Sequence, residues 1–459
     1  MSSHLSRRSF LRGVAAATLS TPLLYACQPK QPATSEPAAS PTQAVKPAAE
    51  SQQPAPQSKP KLRSTLWAEQ SGEGRTWMGD RATQWAEETG IADVEIEMVS
   101  YKEMQTKQLT AVAAGTLWDV FFSTNRWGPY SAYKGVFLYL DDMVDAKGTD
   151  LTDFVPAALE GARFENKLFG LPAETNTGNQ NIMTYNKRLL QEFGVPEPTD
   201  DWTFLDYCEM AAKCTDRERR IYGTNMLMGN YYDFGALARG FGGEVFDAER
   251  KSFALTTDEN TREAMKALVE LRTKYNAAPS RDESEGLNFY AEQLAIRAGG
   301  TYHVVQTKVN VEDRFEWDMV LGPKGPDGLR GFSLHILVMC VGSTTKYPDE
   351  AYSLLGYLTS KETAQWAFVN QGQPSARLSV MRSPEAEEQH SIWKRVADWM
   401  DDGINKGPTP IPWNLRVQEL QDTWANLSPE VQYGEVSFEE GIENLQKGCQ
   451  KIMELPRIE

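Results

Sequence analysis

Hydrophobic positions along the chain recur at two periods. "RSTLWAE" (63–69) reads as a first strand, and "VEIEMVS" (94–100) puts Val94, Ile96 and Met98 on the inner face of a second. Between them, Met78, Ala82 and Trp85 recur at helical spacing, with Gly90 as the stop. "EMQTKQLTAVAAGT" predicts another helix, closed by Gly115, and "WDVFFS" a short buried strand. This strand–helix–strand–helix–strand opening predicts an α/β fold with an open sheet rather than a sandwich. Helical stripes follow at Ala264, Ala267, Leu268 and Leu271, and at Ala351, Leu354, Leu355 and Leu358. A last stripe (Phe438, Ile442, Leu445, Cys449, Ile452) stands behind a capping pair, Ser437 and Glu440. No tandem repeat occurs, which argues against solenoids and propellers.

The one long apolar run, Gly13–Leu24, lies near the start, and Arg7, Arg8 and Arg12 precede it. It is too short to span a bilayer, which takes roughly 20 residues. A basic start, a short apolar middle and small residues before a cut site make an export signal, residues 1–26. "SRRSFLR" resembles the twin-arginine signal, with Arg12 where a Lys is usual, and "LYAC" resembles a lipobox with a bulky Tyr25. Both resemblances imply that Cys27 is lipidated and begins the mature chain. Residues 27–61 are rich in Pro, Ala, Gln and Ser without an aromatic residue, so they bury too little apolar surface to fold. They read as a tether reaching roughly 30 Å as a coil.

The remaining length, roughly 400 residues, exceeds one ordinary core and predicts two lobes. Of 459 residues, 41% are hydrophobic, and the net charge of -16 argues against nucleic-acid binding through phosphate contacts. Cys208, Cys214, Cys340 and Cys449 form no C-x-x-C pair and read as small buried hydrophobes. There is no nucleotide-binding glycine loop, no G-x-S-x-G and no H-E-x-x-H, and the histidines are too far apart for metal-ligand spacing. No catalytic residue, metal or cofactor is expected. Glu69 and Glu174 each follow an apolar strand-like run, where site residues of open sheets lie. A glycosidase using two such carboxylates, or a lyase, is the rival enzymatic reading.

Six segments in order carry a family resemblance: "AVAAGTLWDVFF", with Trp118 in place of the usual Pro; "YKGVFLYLDDMV"; "FENKLFGLPAETNTGNQNIMTYNKRLLQEFGVPEPTDDWTF"; "AGGTYHVVQ"; "VLGPKGPDG"; and "GQPSARLSV". The chain resembles the family 1 extracellular solute-binding proteins, the maltose-binding-protein-like receptors of bacterial ABC importers, from about Arg63 to the end. The resemblance implies a two-lobed periplasmic-binding-protein fold of type II, with discontinuous lobes of 62–174 plus 317–362 and 175–316 plus 363–459. It further implies a monomeric, exported binding protein that hands a sugar, or another solute, to permease subunits and touches the membrane only through its lipid.

A sugar held between lobes meets aromatic faces and a few directed polar groups. Aromatic or polar residues in turns after strands are therefore the candidates: Trp67, Glu69, Asn125 and Trp127 on the first lobe, and Glu174 and Asn176 at the crossover. Tyr231, Tyr232, Tyr302 and His303 would face them, with Trp413 and Arg416 as late-chain contacts. His335, in the strand-like "SLHILVMC", is open to a core or a site role.

Overall fold

The computed structural model describes residues 59–68, 76–225, 229–401 and 411–458. Glu69 and Cys27 lie outside them, as do the signal and nearly all of the tether. The described strands are β1 (Lys61–Ala68), β2 (Asp93–Ser100), β3 (Val120–Thr124), β4 (Arg163–Phe164), β5 (Lys167–Leu168), β6 (Leu171–Thr177), β7 (Ile182–Asn186), β8 (Tyr222–Thr224), β9 (Leu294–Gly299), β10 (Trp317–Leu321) and β11 (Leu334–Val341).

They form two main sheets, ordered β2-β1-β3-β11-β6 and β10-β7-β9-β8, and a small β4–β5 hairpin. In the first sheet β1 runs parallel to β2 and β3, whereas β11 is antiparallel to β3 and β6. Central β3, "VFFST", is buried at every position, as its apolar composition requires of a strand covered on both faces. Edge strand β2 departs from its predicted alternation. Val94 and Ile96 are half-buried, but Met98 is 40% exposed and Val99 is buried instead. At an edge strand's end only one side is covered, and a two-residue pattern cannot say where that cover stops.

The helices match their stripes. Thr76–Thr89 buries Met78, Ala82 and Trp85, and Pro348–Leu358 buries Ala351, Leu354, Leu355 and Leu358. Phe438–Met453 is capped by Ser437, whose side chain accepts from the Glu440 amide. All four described cysteines are free and buried, and desolvation pushes the Cys208, Cys214 and Cys449 thiols up to about 12.

Among the described residues two large hydrophobic cores and a small third one lie against the sheets, and strand pairing and packing bear on the expected lobe boundaries. β6 stays in the first sheet through Thr177. β10 belongs to the second sheet, because its five residues pair with β7 from Trp317↔Asn186 to Leu321↔Ile182. Phe368, Trp393 and Met400, from the helices spanning 361–401, pack into the first core. The chain thus passes between the two main sheets through 178–181 and 322–333. An amphipathic stripe shows that a segment packs without showing on which sheet, so the pairing of 317–321 and the core joined by 361–401 are not written in their own patterns.

Candidate functional site

β1 and β3 end at the face where the lobes meet. Trp67, near the end of β1, stands 5.1 Å from the Tyr101 ring and 6.2 Å from Phe122. Tyr101 opens the next helix and meets Trp127 edge-on at 4.7 Å. Trp67, Tyr101 and Trp127 form an aromatic wall on the first lobe. Past β3 the chain turns through Asn125, Arg126 and Trp127. Asn125 is a structural clip: its Nδ2 donates to the Leu334 carbonyl (2.9 Å) and its Oδ1 accepts from the Ile336 amide (3.0 Å). It continues the β3–β11 pairing beyond the strand and fixes the next two side chains.

Opposite stand Tyr302, which precedes the helix His303–Val311, Gln306 on it, and Asn179 in the first crossover. The open cleft between them measures about 440 Å³ and is also lined by Glu174, Asn176 and His335. A second cavity of about 300 Å³ shares Tyr101 and Arg126 and is closed by Trp127, Tyr130, Tyr232 and the segment around Arg416. Each lies at the lower end of the range for small-molecule sites.

A polar lock sits where the crossovers meet. Asp233, 1% exposed on the helix Tyr231–Gly240, accepts from the Asn179 amide (3.2 Å) and Nδ2 (2.6 Å), from Asn230 Nδ2 (2.7 Å) and from Ser333 Oγ (3.1 Å). Asn179 and Ser333 belong to different crossovers, so one carboxylate holds both. The Gly178 amide donates to the Ser333 carbonyl at 2.8 Å. A Cβ at Gly178 would run into Ser333 Oγ and Asp233 Oδ1, so only glycine permits this approach. Tyr302 extends the network by donating its hydroxyl to Asn179 Oδ1.

The candidates divide. Trp67, Asn125, Glu174, Asn176 and Tyr302 line the larger cavity, and Trp127, Tyr232 and Arg416 the smaller. Asn176 Oδ1 and Trp127 Nε1 are buried without a hydrogen-bond partner, which leaves an acceptor and a donor for a ligand. Tyr231 does not reach the cleft. It is fully buried against Phe246, because "NYYD" is not a turn but a helix start in which Asn230 Oδ1 caps the Asp233 amide. His303 is likewise a core residue, 4% exposed in the first turn of its helix. Trp413 lines a separate cavity of about 310 Å³ with Glu165 and Arg457, and its Nε1 donates to the Met453 carbonyl. Arg416 is committed locally, to Glu419 and the Pro456 carbonyl. Tyr101, Arg126, Asn179 and Gln306 were missed. Arg126 carried a usable signal, since it lies between two candidates in the same turn.

Residues 80–394 match the model of the bacterial extracellular solute-binding protein family. The chain belongs to that family. Among solved structures, this solute-binding protein is similar to an ABC substrate-binding protein from Listeria monocytogenes in complex with cycloalternan (18% identity, 86% of this chain and 99% of that one, TM-score 0.71). It is also similar to the sugar-binding protein MalE from Xanthomonas citri (17%, 86% and 97%, 0.73). A third is the GacH receptor of Streptomyces glaucescens, solved unliganded and with acarbose (20%, 87% and 99%, 0.68). At these identities the likeness is one of fold, the two-lobed binding-protein architecture. Family and neighbours are binding proteins rather than enzymes.

Proposed function

We propose that this solute-binding protein captures a sugar or oligosaccharide between its lobes and delivers it to the permease of an ABC importer, as a monomer tethered through lipid on Cys27. The cleft carries the reading. Trp67, Tyr101 and Trp127 offer ring faces to a sugar's C–H surface, with Asn176 as a polar partner on the same lobe, while Tyr302 and Gln306 offer hydroxyl partners from the other side. Ligand drives closure only to the extent that it binds the closed state more tightly, which requires contacts from both lobes.

Addition of a bound oligosaccharide should lower the radius of gyration in solution scattering. Trp127→Ala should weaken binding beyond the roughly 0.5 kcal/mol of an inert surface change while leaving the fold intact. Saturable binding with neither compaction nor sensitivity to Trp127 would overturn the mechanism. Cys27→Ser should release the protein from membranes. A processed variant that still sediments with them would refute the anchor.

A further inference from the structure

The geometry points to a ligand that carries an anionic group, a uronate carboxylate or a sulfate or phosphate ester, received by Arg126. This deepens the sugar-binding reading and rests on it. Arg126 is half-buried and lines both cavities of the cleft. Its guanidinium carbon lies 4.4 Å from the centre of the Tyr232 ring, and its Nη2 is hydrogen-bonded to the His335 ring. The Tyr101 phenol is its third polar neighbour. None of these is a carboxylate.

Two nearby acids among the described residues are engaged elsewhere. Asp233 is consumed by Asn179, Asn230 and Ser333 and stands 3.7 Å from His335, not against Arg126. Glu419 pairs with Arg416, the other arginine of the cleft. A guanidinium drawn out of water without a counter-charge is unfavourable unless something supplies one. Stacking on Tyr232 fixes the cation's position by its charge and uses none of its N–H donors. Those donors match a planar or tetrahedral oxyanion, and a carboxylate can take two at once. Next along the chain, the unpartnered Trp127 Nε1 adds a further donor on the same side.

The test is calorimetry and thermal shift on the full chain. The probes are matched sets: neutral di- and trisaccharides, their uronate counterparts, their sulfate and phosphate esters, and the sugarless carboxylates citrate and succinate. An acidic sugar is expected to bind at least tenfold more tightly than its neutral counterpart, and which acid wins distinguishes carboxylate from ester. Arg126→Gln should cost the acidic sugar at least tenfold more affinity than it costs the neutral one, so that the preference is erased, and Arg126→Lys should restore part of it. Neutral sugars binding as tightly as acidic ones to the wild type would overturn this inference and leave the sugar reading standing. Binding of sugarless carboxylates alone would do the reverse, and binding of no probe would sink both.

Discussion

Replacing Asp233 by alanine is expected to lower stability by about 3–5 kcal/mol, the cost of breaking a buried, fully bonded charged group. Four donor contacts converge on this carboxylate, from Asn179, Asn230 and Ser333. Truncation leaves those donors buried with nothing to accept them, and it removes a negative charge from a helix N-terminus, where the dipole favours one. Asp233→Asn should fall in between, because its amide nitrogen would face donors. The measurement is the urea midpoint of each variant, with ligand absent. A loss below about 1 kcal/mol, the worth of an ordinary hydrogen bond, would mean that the crossovers are held mainly by backbone bonds such as Gly178 to Ser333. If the lock acts as argued, the variant should also sample open states more widely, visible as a larger radius of gyration before any ligand is added.

Local patterns and long-range partnerships were unequally legible. The helix Thr76–Thr89 and the helix Glu259–Thr273 could be read because each writes its buried face at its own period, with Ala264, Leu268 and Leu271 all buried. The sheet assignment of β10 could not, since Trp317–Leu321 would pair as readily with either sheet's edge on its own pattern. The site shows the same division. The rule that strand ends carry sites picked Trp127, just past a strand, and that residue does line a cavity of the cleft. Tyr231 obeyed that rule in appearance and broke it in fact, because Asn230 and Asp233 start a helix there. Asn179 and Asp233 were invisible because their role exists only once two distant crossovers, 178–181 and 322–333, are brought together.

His303 predicts how stability will depend on pH. Burial, with the positive Arg297 adding to it, pulls its pKa down to about 3, and the buried Nδ1 has no hydrogen-bond partner that could accept or share a proton. In the unfolded chain the imidazole returns to about 6.5. Between those values the unfolded state binds a proton that the folded state refuses, so stability rises with pH and falls as pH is lowered through 6.5 toward 3. From pH 7 to pH 5 this one group should remove about 2 kcal/mol. Glu283, held near 2 by Arg217, and Asp318, lowered despite its burial by the His390 hydrogen bond, act in the same direction. Their unfolded-state values lie near 4, so their share begins only below about pH 5. The window from 7 to 5 therefore belongs to His303 among these three. Urea midpoints of the wild type and of His303→Gln, taken at half-unit steps across that window, should diverge, with the wild type losing about 2 kcal/mol more. Parallel curves would show that the imidazole takes up its proton without unfolding, and that the pocket around it opens to water more readily than its 4% exposure allows.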